Sequence, residues 1–239
     1  MSYPLIIKDN FFEDPDSIVK TSNKCIYSEN ELIHYPGSRS NHLEKINPKL
    51  YVRIFQKIFL LLHDKLPLNF NAEVKFQKIK PFVEGDKWNK KNLGWIHKDF
   101  CLFGGIIYLD KDPDKDAGTS IYKSIDGFDV QTQESMDAKE LLYSGKPIDD
   151  EKYNIAFDVI RNQYEETLRI PNLYNRLVLI PGDQLHAMTT TGDKERHTIV
   201  FFCFDTMGVS LPEYKDHPTV PIPNDKLYTS NNFSVPCSY

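Results

Sequence analysis

From Val74 to Phe204 the chain keeps returning to short apolar runs, each closed by proline, glycine or a charged turn. Val74, Phe76 and Ile79 make the first run, ended by Pro81. Trp95-Ile96-His97, Leu102 to Leu109, Thr119 to Tyr122, Glu166 to Ile170, Arg176 to Ile180 and His197 to Phe204 follow. Runs of roughly four to eight residues with this punctuation read as strands. A parallel α/β sheet needs a helix-length crossover after each strand, and that alternation is missing. The pattern therefore predicts an all-β sandwich or barrel with helical decoration.

The decoration lies mainly at the N-terminus. Leu5 to Lys8 reads as a short strand. Asp14 or Asp16 can cap a helix near Ser17 to Lys24, with Pro15 in its first turn. Tyr27 to Asn47, which contains His34-Tyr35-Pro36-Gly37, reads as irregular. Between Pro48 and Lys65, steps of three and four put Leu50, Ile54, Ile58, Leu61 and Leu62 on one face, predicting a helix packed outside the sheet. Ser124 to Gln163 is polar, helical in pattern only around Tyr153 to Tyr164, and reads as an insertion between strands. Pro171 to Asn175 would join the strands on either side of it as a hairpin. Residues 207–239 carry five prolines and read as an irregular wrap. The expected organisation is one domain over 1–239. An N-terminal part, 1–70, precedes a β core, 72–206, with its insertion at 124–163, and the tail follows.

Charge narrows the partners. With 29 Lys and Arg against 34 Asp and Glu, the net charge is −5, so no nucleic acid is expected as a partner. Lys87, Lys90 and Lys91 are a local exception, read as a solvated loop. The N-terminus lacks a basic region followed by an apolar core, and the longest apolar stretch, Ile58 to Leu62, is too short for a bilayer. No membrane partner is expected either, and a cytoplasmic protein is the default. Cys25, Cys101, Cys203 and Cys237 show no CxxC spacing and read as free thiols.

Against that frame one motif carries chemistry. Seven histidines and 34 acids give about one His-x-Asp/Glu pair by chance, and the chain has two: His42-Leu43-Glu44 and His97-Lys98-Asp99. In a strand, residues i and i+2 face the same side, so either pair could point into a barrel. Only His97 and Asp99 open a β-rich stretch; the other pair sits in a polar segment before a helix. A third ligand from a distant strand would complete a two-His, one-carboxylate face, which suits Fe(II) and O2 chemistry. His186 is placed for this, after the turn Pro181-Gly182-Asp183, at the mouth of a barrel and not in its wall. Arg196 opens the last strand with Thr198 on the same side, and a buried guanidinium is a good bidentate receptor for a carboxylate.

The ordered set His97-x-Asp99, His186, Arg196-x-Thr198 resembles the Fe(II)/2-oxoglutarate-dependent dioxygenase superfamily. Neighbouring strings are similar to its prolyl-hydroxylase-like branch: Gly104-Gly105-Ile106-Ile107-Tyr108-Leu109-Asp110, Ala117-Gly118-Thr119-Ser120 and Asn175-Arg176-Leu177-Val178-Leu179-Ile180-Pro181. Asp9-Asn10-Phe11-Phe12-x-Asp14-Pro15 and Tyr35-Pro36-Gly37-x-Arg39 resemble an uncharacterised bacterial and phage group within it. The resemblance implies a mainly β, double-stranded β-helix (a jelly roll, cupin-like) with N-terminal helices outside. It implies Fe(II) held by His97, Asp99 and His186 and 2-oxoglutarate chelating the iron, with the far carboxylate on Arg196, helped by Thr198. O2 is the oxidant, and ascorbate is an optional reductant. Because Asp99 supplies the carboxylate that halogenases of this kind lack, hydroxylation is implied. Many relatives carry a co-substrate tyrosine where Ile107 stands. Here it is Tyr108, which by alternation faces the opposite way unless a bulge shifts it. A second frequent tyrosine is replaced by Phe82.

The substrate is left open: a small molecule, or a peptide or protein side chain. Ser124 to Gln163, Tyr35 to Arg39 and the loop around Trp88 are expected to cover the iron site. Trp95 and Tyr122 are either pocket or core residues, core more often; Arg176 reads as a structural ion pair and His197 as an outer-face histidine. Two alternatives remain: a nucleic-acid oxidative demethylase of the same fold, and a non-catalytic cupin-like binding module.

Overall fold

The two longest strands of the protein pair with each other. In a computed structural model describing residues 3–29, 35–63, 65–127 and 132–209, β4 (Asn69–Ile79) runs antiparallel to β10 (Arg196–Met207). The pairing runs from Arg196 opposite Ile79 to Met207 opposite Asn69, with an irregularity between Cys203 and Asp205. Around this pair a seven-stranded sheet forms from β1 (Ile6–Lys8), β2 (Tyr27–Glu29), β3 (Ser38–Ser40), β5 (Phe103–Tyr108) and β8 (Leu177–Pro181). Its order is β1-β8-β5-β10-β4-β3-β2. A second sheet holds β6 (Thr119–Ser124), β7 (Tyr164–Ile170) and β9 (His186–Met188) in the order β7-β6-β9. Every pairing between these strands is antiparallel. The fold is mainly β, with two sheets facing each other, as expected.

Strand alternation sorts the side chains into two layers. On β10, Ile199, Phe201 and Cys203 face outward to the helices, joined by Phe103 and Ile107 of β5 and Leu177 and Leu179 of β8. On the inner side, Tyr108, Val178 and Ile180 meet Ile121 and Ile170 of the opposite sheet. Helix α1 (Pro15–Ser22) is capped by Asp14, which accepts the Ser17 N–H at 3.1 Å. After α2 (Leu43–Ile46) comes α3 (Pro48–Leu62), capped by Asn47. It buries Ile54, Phe55, Ile58 and Phe59 on the outer face of the large sheet, each worth about 1.5–3 kcal/mol of burial. No helix among the described residues is long and apolar enough to cross a membrane.

Four expectations need correction. Tyr27 to Asn47 is not irregular: β2 and β3 extend the large sheet past β4, and α2 follows. The insertion carries two helices, α4 (Gln133–Tyr143) and α5 (Asp150–Arg161). α4 escapes the apolar pattern because it buries few residues, among them Ser135 and Leu142. β7 and β8 are not a hairpin. β7 pairs β6 in the small sheet, while β8 crosses to pair β1 and β5. Their burial explains the split: β8 is buried at all five positions, whereas β7 is largely exposed between its ends. Asn175 pulls the connection across by bonding the backbone of Phe12 through both Oδ1 and Nδ2. Finally, His186 lies in the wall of the small sheet, on β9, and not in a loop at the mouth. Of the irregular tail expected over 207–239, Met207 instead ends β10, and residues 210–239, with Cys237, and also His34 lie outside the described residues; Cys25, Cys101 and Cys203 are free thiols.

Candidate metal centre and its cavity

His97 and His186 face each other across an isolated antiparallel bridge in which each backbone N–H donates to the other's carbonyl at 3.0 Å. Gly94 N–H donates to Met188 O at 2.9 Å, and Asp99 N–H to Gly182 O at 3.0 Å. These bonds seat residues 94–99 beside β9. The approach requires glycine, because a Cβ on Gly94 would stand 2.2 Å from Met188 O, and one on Gly182 would stand 1.8 Å from Cys101 O. Expected as a strand, Trp95 to His97 makes only this one bridge.

The seating brings donor atoms of His97, Asp99 and His186 within 4.8 Å of one another. His97 Nε2 lies 3.7 Å from Asp99 Oδ1, and His186 Nε2 lies 3.4 Å from Asp99 Oδ2. Each imidazole uses its other nitrogen against the backbone: His97 Nδ1 reaches Trp95 O at 2.8 Å and His186 Nδ1 reaches Gln184 O at 2.9 Å. A carbonyl only accepts, so Nδ1 carries the proton and the Nε2 lone pair is free for a cation. Burial, and then repulsion from His186, push His97 down to about 4, so it is neutral at physiological pH. Burial works against an ionised Asp99, but contact with His186 and the nearby charge of Arg39 outweigh it and hold the carboxyl below its usual range. Two imidazoles with their Nε2 atoms turned inward and one carboxylate fit a divalent metal.

These side chains open on a cavity of about 270 Å³. Arg196 lines it with 4% of its surface exposed, and its Nε and Nη2 have no hydrogen-bond partner. Such a cation is costly to bury without an anion, so the guanidinium fits a carboxylate ligand. Tyr108 lies beside it, ring centre 5.3 Å from the guanidinium carbon, with its hydroxyl 2.7 Å from Thr119 Oγ1. The register resolves the tyrosine question: Ile107 packs under the helices while Tyr108 points between the sheets, opposite Thr198 of β10 without a bulge. The inward position thus belongs to Tyr108. Thr198 is buried between Arg196 and Val200 but is not part of the cavity wall, where Thr119 of β6 stands.

The remaining candidates separate. Tyr35 and Arg39 line the cavity, as do Lys139 and Tyr143 of the insertion. Trp88 does not; it sits between Lys87 and Arg169. Trp95 both lines the cavity and packs on Phe157, whereas Tyr122 is core, bonded to Arg161 at 3.0 Å. Phe82 stacks on Tyr143. Arg176 pairs with Asp9, at 2.6 Å from Nε. His197 is buried on the outer side and bonds Ser22 Oγ at 2.5 Å. His42 only precedes α2. Lys139 and Tyr143 were missed by sequence reading; their i, i+4 spacing on a helix is the signal that could have found them.

No protein-family model matches the sequence, and no curated protein matches it. Solved structures do. HygX from Streptomyces hygroscopicus, with nickel and 2-oxoglutarate bound, superposes with a TM-score of 0.52 at 10% identity, covering 88% of this chain and 85% of HygX. The chain has the fold of the 2-oxoglutarate-dependent oxygenases. The epimerase SnoN from nogalamycin biosynthesis gives 0.47 at 13% identity, covering 92% and 91% of the two chains. A prolyl-4-hydroxylase from Pseudomonas putida gives 0.40 at 10%, covering 84% and 92%. Within this oxygenase fold, the three donor atoms and Arg196 share one cavity between the two sheets.

Proposed function

We propose that the protein is an Fe(II)- and 2-oxoglutarate-dependent oxygenase that hydroxylates a C–H bond of a small metabolite or of a peptide or protein side chain. His97, Asp99 and His186 hold the iron; Arg196, with Tyr108 and Thr198 beside it, receives the far carboxylate of 2-oxoglutarate. The observation that carries this reading is the pairing, in one cavity, of a three-donor cluster with a buried guanidinium lacking partners. HygX, which shares the fold, has been crystallised with nickel and 2-oxoglutarate.

Bound iron and co-substrate supply the chemistry, using O2 to convert 2-oxoglutarate to succinate and CO2 while oxygen enters the substrate. The chain's own residues do the positioning. Trp95 and Gln184 carbonyls fix both imidazoles in the ligating tautomer. Arg196 fixes the co-substrate's orientation by a two-pronged bond, and Ile106, Ile180 and Val200 keep that part of the cavity apolar. Asp99 would offer the iron its own carboxylate, which would favour hydroxylation over halogenation. A substrate other than nucleic acid is supported by Lys87, Lys90 and Lys91, which are tied to Asp114 and Asp116, Asp158, and Asp150.

Anaerobic addition of Fe(II) and 2-oxoglutarate should produce a weak visible absorption band, and admission of air should release succinate without added substrate. His186→Ala should lose both. Absence of both in folded wild-type protein would reject the oxygenase reading and leave a metal-binding module.

A further inference from the structure

Two cations of the cavity, Arg39 and Lys139, lie outside the set assigned to iron and co-substrate, although each feels the charge of Asp99. Arg39 comes from β3, between β4 and the edge strand β2 of the large sheet, and Lys139 from α4 in the insertion of the small sheet, so they enter the cavity from different walls. The Arg39 guanidinium lies 3.6 Å above the Tyr35 ring and 5.9 Å from that of Phe202, and its buried Nε has no partner. Lys139 is partly buried, and the only carboxylate among the described residues lining the cavity is Asp99. Charge balance, resting on the oxygenase reading, shows what is left over. Fe(II) and Asp99 together carry one positive charge, and doubly negative 2-oxoglutarate cancels that charge and the one on Arg196. The charges on Arg39 and Lys139 remain.

From this geometry we propose that Arg39 and Lys139 form the substrate-anchoring subsite, and that the substrate carries a carboxylate or phosphate next to an apolar or aromatic portion. The guanidinium is held flat on Tyr35, which orients its fork for two-pronged bonding to either anion, while Lys139 adds a point charge. Tyr143, Trp95 and Phe202 supply flat apolar surface beside them. The cavity, at about 270 Å³, must also hold 2-oxoglutarate, so only a small molecule or one acidic side chain fits.

Calorimetric titration of nickel-loaded protein, saturated with 2-oxoglutarate so that Arg196 is engaged, tests this with benzoate, phenyl phosphate and benzamide. At least one anion should bind roughly tenfold or more tightly than the neutral amide, the scale of one charge-assisted hydrogen bond. Comparing the two anions tells carboxylate from phosphate. Arg39→Gln should abolish the preference, and Arg39→Lys and Lys139→Gln should each weaken it, with nickel and 2-oxoglutarate binding unchanged. Equal binding of benzamide, no binding of any probe, or an anion preference surviving in both glutamine variants would overturn the proposal. Repeating the titration in Arg196→Gln without 2-oxoglutarate separates the two readings. An anion preference there that depends on Arg39 supports the subsite even if co-substrate binding fails in the wild type, and its absence counts against the subsite alone.

Discussion

Arg196 is stored in the fold as an incomplete interaction. In the proposed reading, methionine in its place deletes two charge-assisted bonds to the co-substrate, each worth about 1.5–3 kcal/mol, so Arg196→Met should weaken 2-oxoglutarate binding by roughly a hundredfold or more. Titration calorimetry measures this. The same variant should melt no lower than wild type without ligands, because it removes a buried guanidinium with two unpartnered nitrogens. His197 makes the pH prediction. Burial, then Lys78, push it down to about 4, below the ordinary histidine value of about 6.5. The unfolded chain therefore binds the extra proton first. Stability is complete above about pH 6.5 and is lost as pH falls towards 4, by roughly 2–3 kcal/mol. Urea melts across that range should show the decline, and His197→Gln should make it shallower, leaving the part due to His97. At this scale the sequence was most informative where spacing has one geometric meaning: His97 and Asp99 share a side because they are two residues apart. It was silent on Tyr108, whose direction depends on which partner residue β10 places opposite it.

The elements around the metal centre depend on close backbone approach. Gly94→Ala would drive a methyl into Met188 O, so residues 94–99 must lift from β9 and separate His97 from His186. The expected outcome is a loss of metal affinity of at least about a hundredfold, read by competition with a metal-binding dye, while far-ultraviolet circular dichroism stays near native; second-sphere changes alone cost about ten- to a hundredfold. Element legibility followed burial. α3 was readable because one whole face is apolar, and β8 because it is buried throughout. α4 was not, since it covers a cavity and so presents Lys139 and Tyr143 where a core helix would present leucines. The β7–β8 crossing was also hidden, because a six-residue connection serves a hairpin and a change of sheet equally well. The Asn175 bonds to Phe12 that decide it join residues far apart in sequence.

For the whole molecule, the all-β class was legible from strand punctuation and the absence of crossover helices and the jelly roll only from the family resemblance, while the assignment of each strand to its sheet needed contacts over long separations. Ligands that bind only the folded state should stabilise it by mass action. Metal and 2-oxoglutarate, each at about a hundred times its dissociation constant, are worth about 2.7 kcal/mol apiece, together roughly 10–20 °C in Tm for a chain of this size. Differential scanning calorimetry should show the shift, and a chelator should reverse it. The single bridge between His97 and His186 has its own consequence. With a cation in place, a chain segment fastened by a few backbone bonds gains a clasp closing a long covalent loop. Amide protons at positions 97, 99 and 186 should then exchange with solvent on the timescale of ion release, making the metal a lock on the rim as well as a reagent.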